Sequence, residues 1–176
     1  IEVVLLDTTL EAAERGKART QDLLERAVKK GRSTPQARDA MLARIVPTTD
    51  YASLVGCELV IEAVFEDRAV KAQVSAHAEA VLAASAVLAS NTSTLPITGL
   101  AAASRRPANF IGLHFFSPVD KMPLVEIIVG GETSDETLAH AFDFVLQIGK
   151  TPIVVNDSRG FYTSRVFATY VMEGMA

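Results

Sequence analysis

The sequence predicts an α/β fold: a doubly wound, mostly parallel sheet with a projecting helical hairpin. Three observations predict it. Short apolar runs alternate with amphipathic segments along all 176 residues, the pattern of strand–helix–strand crossovers. Hydrophobic residues make up 49% of the chain and charged residues 22%, the balance of a globular domain with an ordinary core. Short polar and charged side chains recur at the ends of the apolar runs.

Taken in order, Glu2-Val3-Val4-Leu5-Leu6 reads as a buried strand ending at Asp7. Leu10, Ala13, Leu23, Leu24, Ala27 and Val28 then recur at near-helical spacing. That segment ends in basic residues (Arg26, Lys29, Lys30, Arg32) and closes on Gly31. Ser33 or Thr34 caps a second helix with Pro35 in its first turn. The two helices are longer than a crossover requires and are expected to project. Ile45 to Pro47 is a short strand and Cys57 to Val64 a stronger one. Asp67 caps a helix whose Val70, Val74, Ala78 and Val81 share a face. Ala86 to Ala89 is the next strand, running into Ser90-Asn91-Thr92-Ser93-Thr94, and Pro96 starts a short helix. Asn109 to Leu113 forms a strand into His114, where Phe115, Phe116 and Pro118 predict a turn, and Leu124 to Val129 forms another. Ser134 caps a helix with Leu138, Ala141, Phe142, Val145 and Leu146 on one side, stopped by Gly149. Pro152 to Val155 is the last strand. Beyond Gly160 a helix begins that belongs to another domain, so residues 1–158 are expected to be one domain and 159–176 the start of the next. Its Tyr162, Val166, Phe167, Tyr170 and Val171 form a mostly apolar surface without a partner. A chain opening directly on a strand and stopping inside a helix is expected to be a piece of a longer protein, truncated at both ends.

The formal net charge is −4, and no basic stripe with interleaved aromatics occurs, so no nucleic-acid partner is expected. The lone Cys57 cannot form an internal disulfide and reads as core packing in a reducing, intracellular setting. No run approaches the roughly 20 apolar residues that span a bilayer, and no signal peptide opens the chain.

The candidate chemistry centres on GLHFFSPVDKMPLVEII. Glu126 lies in an apolar run, where an ionised carboxylate is costly to bury unless paired. His114, across the connection, is the obvious partner: Glu126 could orient its ring and stabilise its charged form. Such a pair is a general base awaiting a proton. Asp7, Glu62 to Glu66, Asn91 to Ser93 and His114 all fall at predicted strand ends, where open parallel sheets bind ligands. Asp7 has the position of a carboxylate that binds a dinucleotide ribose, or of a cap for a helix starting at Thr8, with nothing local to choose between them. No G-x-G-x-x-G occurs; the strand and helix that would carry it would lie before Ile1. Asn91 to Thr94 could donate to a substrate oxygen or form an ordinary turn. The absence of G-x-S-x-G argues against a serine hydrolase. The three histidines (His77, His114, His140) are too scattered to suggest a metal site.

IEAVFEDRAVK (61–71), ASNTSTLPIT (89–98), RPANFIGLHFFSPVDKMPLVEII (106–128) and GKTPIVVNDSRGFYTSRV (149–166) together resemble the L-3-hydroxyacyl-CoA dehydrogenases. The wording of the third and fourth is nearer the dehydrogenase part of multifunctional fatty-acid oxidation proteins. The resemblance implies a Rossmann-like NAD-binding domain followed by a helical domain that shapes the acyl pocket and dimerises. It implies NAD-dependent oxidation of L-3-hydroxyacyl-CoA in β-oxidation, in the bacterial cytoplasm or mitochondrial matrix. A homo-oligomer, or a complex with a thiolase subunit in a multifunctional protein, is the implied assembly. By the same resemblance His114 is the catalytic base, Glu126 its acidic partner, and Ser93 the serine bonded to substrate. Asp7 binds the ribose, Glu66 and Lys71 line the cofactor site, and Lys30 meets coenzyme A. Ser164 stands where relatives commonly carry Asn; it is shorter but can still donate. Three other readings stay open. One is a dehydrogenase of free β-hydroxy acids, which would need a lysine in place of His114. Another is a non-catalytic structural relative, such as occurs in lens, against which His114 and Glu126 both argue. The third is a 3-hydroxybutyryl-CoA dehydrogenase.

Overall fold

A computed structural model describes residues 1–175, which divide into two compact units, residues 1–55 and 56 onward. In the first unit, β1 (Val3–Leu6) pairs in parallel with β2 (Ile45–Thr48), joined by helices α1 (Leu10–Lys29) and α2 (Pro35–Leu42). Thr9 caps α1 through its hydroxyl, which accepts from the Ala12 N–H at 3.2 Å. Asp7 is therefore not the cap; among the described residues its carboxylate accepts only from the neighbouring Thr8. Thr34 caps α2 with Pro35 behind it, the choice left open between Ser33 and Thr34. Gly31 ends α1 at φ +68°, where a side chain would be strained.

In the second unit, β3 (Leu59–Glu62), β4 (Val87–Ser90), β5 (Phe110–Phe115), β6 (Leu124–Val129) and β7 (Thr151–Asn156) form one sheet in chain order. All neighbours are parallel except β5 and β6. Helices α3 (Arg68–Glu79), α4 (Ile97–Ala101), α5 (Asp135–Gln147) and α6 (Thr163–Met175) complete the unit. Its core is Val87, Ala89, Ile111, Leu113, Val125 and Ile127 from three central strands, covered by Ala141 and Val145 of α5. Asp67 and Ser134 cap α3 and α5 as expected. Among the described residues no helix is long and apolar enough to cross a membrane.

Four expectations change. The strand expected over Cys57 to Val64 is only Leu59–Glu62. β5 runs on through His114 to Phe115, so the imidazole sits within a strand rather than after it. On α5 the buried stripe is Thr137, Ala141 and Val145, with Leu138 against the core; Phe142 and Leu146, one residue further round, are exposed. On α3 the buried side is Lys71, Ser75, Ala78 and Glu79, and Val70 faces out. Lys71 can turn inward because β3 ends in a carboxylate that neutralises it, which an apolar count cannot register. At the start of α6 and along it, Tyr162, Val166, Phe167 and Tyr170 are exposed as expected, while Val171 is half-buried.

Gly112 lies in the middle of β5, and a Cβ there would come within 2.8 Å of Ile128 Cβ and of the Ile97 side chain. Gly112→Ala overpacks this point and should cost about 1–3 kcal/mol, read as a lowered urea midpoint. An unchanged midpoint would show that the β5–α4 contact is loose.

Candidate active site

The antiparallel register of β5 and β6 sets His114 directly opposite Glu126, on one face of the sheet. Both are buried, Glu126 completely. His114 Nδ1 lies 2.7 Å from Glu126 Oε2. Three more donors come from the start of α6. Oε1 accepts from the N–H groups of Tyr162 (3.2 Å) and Thr163 (2.8 Å), and Oε2 from the Thr163 hydroxyl (2.7 Å). Gly160 and Phe161, at φ +74° and +48°, turn the chain so that these amides aim at the carboxylate. The left-handed phenylalanine costs on the order of 1–2 kcal/mol, offset by its buried ring, centred 6.1 Å from the imidazole. Phe116 covers another side at 4.5 Å.

Burial by itself would push the Glu126 carboxyl up. The hydrogen bond from His114 and the amide and hydroxyl of Thr163 outweigh it and hold the group below the ordinary glutamate value. The carboxylate is thus ionised and can only accept. Nδ1 must carry the ring proton, which leaves the Nε2 lone pair to receive another. This is the arrangement of a general base, built from the two residues that the sequence pattern singled out.

The loop after β4 carries Ser93, and Glu66 holds it. Glu66 Oε1 accepts from the Thr92 hydroxyl, the Ser93 and Thr94 amides (3.0 and 3.2 Å) and the Thr94 hydroxyl. Burial opposes its charge, but the Thr92 and Ser93 donors, Lys71 and Thr94 keep its carboxyl below the usual range. Asn91 Oδ1 accepts from the Phe115 N–H at 2.9 Å, tying the same loop to the strand position after His114. Ser93 itself is exposed, and its hydroxyl makes no hydrogen bond among the described residues.

Lys71 is buried beneath this loop. Its ammonium contacts both oxygens of Glu62 at 3.0 and 3.1 Å, the Val64 carbonyl at 3.3 Å and Glu66 Oε2 at 3.4 Å. Glu62 also accepts from the Ser90 hydroxyl and the Val64 amide. Glu66 and Lys71, expected along a cofactor site, are thus engaged with each other and with the Ser93 loop. Glu62 was noticed only as a strand-end carboxylate; its place as the buried counter-ion of Lys71 was not foreseen. The available signal was a charge closing an apolar strand, the same signal that marked Glu126.

Thr163 and Asp157 were missed altogether. Asp157 accepts from the amides of Ile97 and Thr98 (both 2.8 Å) and the Thr98 hydroxyl (2.6 Å), fixing the start of α4. Neither residue stands out locally. Ser164 is half-buried in the first turn of α6, beside Thr163. In the first unit, Asp7 and Lys30 are exposed. Asp7 sits at the end of a parallel strand, and among the described residues its carboxylate accepts only from Thr8. Among the described residues no cluster of three His, Cys, Asp or Glu side chains could hold a metal ion.

The family model described as 3-hydroxyacyl-CoA dehydrogenase, NAD binding domain, matches residues 1–158. A fatty acid oxidation complex subunit alpha from Shewanella baltica is 44% identical over 173 residues, covering 98% of this chain and 24% of that protein. The chain therefore spans about a quarter of the length of that relative. Among solved structures, (S)-3-hydroxybutyryl-CoA dehydrogenase from Ralstonia eutropha superimposes with a TM-score of 0.94 at 37% identity, over 100% of this chain and 65% of that one. The 3-hydroxybutyryl-CoA dehydrogenase from Escherichia coli K12 gives 0.94 at 34% identity, over 98% and 36%.

Two predictions concern the buried charges. Lys71→Met strands Glu62 and should cost about 3–5 kcal/mol, much of it recovered when Glu62→Met is added; denaturation of the two variants checks this, and additive losses would contradict it. Glu126 has a lowered folded-state value, so its stabilisation is present above its ordinary value of 4.5 and is lost as pH falls through the folded one. Glu126→Gln should accordingly flatten the acid side of the stability–pH curve. An acid limb as steep as the parent's would place that stability elsewhere.

Proposed function

The chain belongs to the 3-hydroxyacyl-CoA dehydrogenase family, as its NAD-binding domain, and from that premise we propose that it serves the NAD-dependent oxidation of L-3-hydroxyacyl-CoA to 3-oxoacyl-CoA in fatty-acid β-oxidation. The observation that carries this reading is the His114–Glu126 pair, with its carboxylate ionised and Nε2 available. Bound NAD supplies the hydride acceptor. His114 Nε2 takes the hydroxyl proton of the substrate, and Glu126 stabilises the imidazolium that forms. The Ser93 hydroxyl holds the same oxygen, and Ser164 donates beside the base from the first turn of α6. Asp7 binds the ribose, Glu66 and Lys71 shape the cofactor side of the Ser93 loop, and Lys30 meets coenzyme A. In this reading residues 1–158 are the cofactor domain and 159–176 the start of a helical domain.

The naming of the relatives as alpha subunits of a fatty acid oxidation complex supports work within a complex; a thiolase partner in a multifunctional protein, or a homo-oligomer, is what the family resemblance adds to that reading. A place in the bacterial cytoplasm or mitochondrial matrix follows from the proposed β-oxidation role. A second reading, a 3-hydroxybutyryl-CoA dehydrogenase, is supported by the two structural neighbours of that name. Comparing kcat/KM on four-carbon and long-chain substrates separates the two: the first reading expects the longer chains to be turned over at least as well.

His114→Gln in the full-length protein should lower kcat by about 10²–10⁴-fold and leave NAD affinity unchanged, since the imidazole addresses substrate. Stopped-flow reduction and NAD titration measure both. Near-parental turnover would remove His114 from the chemistry.

A further inference from the structure

Among the described residues, the Thr163 hydroxyl is the one donor on Glu126 that neither the base nor the helix start requires. The amides of Tyr162 and Thr163 already cap α6 through Oε1. The hydroxyl goes instead to Oε2, at 2.7 Å, the oxygen that accepts His114 Nδ1 at the same distance. We propose that Thr163 is a positioning residue for the base, its hydroxyl fixing the aim of Glu126 Oε2 and restraining that oxygen's pull on the His114 ring.

Each hydrogen bond to a carboxylate stabilises its charge and lowers its basicity, so two donors on one oxygen each weaken the other's bond. Removing the hydroxyl leaves Oε2 to the imidazole alone, which strengthens the pair and favours the protonated ring. The groups facing the carboxylate are His114 from β5 and, from the start of α6, the two amides and the Thr163 hydroxyl. Among the described residues no other charged side chain pairs with it. A base that holds its proton more firmly is neutral only at higher pH, so alcohol oxidation should need more alkaline conditions. A residue that merely starts the helix would move neither quantity, because valine keeps the amide.

The test uses the full-length protein and two readouts. The His114 ring is titrated by NMR, its signal assigned by its loss in His114→Gln, and the acid limb of kcat/KM is followed against pH. Thr163→Val should raise both midpoints by about 0.5–1 unit. Thr163→Ser, which restores the hydroxyl, should return them. Thr163→Ala provides a second deletion should valine prevent folding, with the same shift expected. Midpoints unchanged or lowered in folded deletion variants would overturn the proposal. The kinetic readout rests on the dehydrogenase reading, whereas the NMR readout does not. Absent activity in the parent would sink that reading and leave the titration to decide the role of Thr163.

Discussion

A carboxylate with no exposure to water needs several hydrogen bonds to stay charged, and Glu126 collects them from β5 and from the start of α6. That requirement organises the region. It uses the antiparallel pairing of β5 and β6 to bring His114 opposite. It uses the left-handed Gly160–Phe161 step to turn two amides inward. It places an anion at the beginning of α6, where the helix dipole favours negative charge. An amide in place of the acid could satisfy part of this geometry, but it would not fix the imidazole proton on Nδ1 or steady an imidazolium. The same charge that orders the fold sets the tautomer of the base.

The second buried charge cluster follows the same logic on the other side of β4. Lys71 and Glu62 are an ion pair almost wholly removed from water, and such pairs add little net stability compared with apolar packing. What the pair does is anchor. Lys71 reaches Glu66, Glu66 grips the loop of Thr92, Ser93 and Thr94, and Asn91 joins that loop to Phe115. Ser93 is thereby held in register with the strand that carries His114, although its own hydroxyl stays exposed. In the proposed dehydrogenase these rigid supports preorganise the Ser93 hydroxyl and the His114 ring for the reaction.

The legible parts of the sequence were those whose causes are local. The apolar run Leu124 to Val129 became a strand with those limits, and Thr34, Asp67 and Ser134 cap helices because a short side chain reaches amides two or three residues on. His114 and Glu126 were legible because a charge in an apolar run demands a partner. The misses have long-range causes. Glu62 reads only as a strand-end carboxylate because nothing near it announces a buried lysine nine residues later, and that ion pair turns a charged side chain of α3 inward. Asp157 holds residues about sixty positions away. Thr163 reads as one more hydroxyl in a helix, and only the fold brings it to Glu126.

A charged Glu126 keeps His114 protonated on Nδ1 and leaves Nε2 free to take a proton. The ring nitrogens report this directly. In the full-length protein labelled with ¹⁵N-histidine, at a pH where the ring is neutral, Nδ1 should show the signature of a protonated nitrogen and Nε2 that of a bare one. The Glu126→Gln variant should lose that bias. Finding the proton on Nε2 in the parent protein would contradict this, since the nitrogen proposed to meet substrate could then accept nothing.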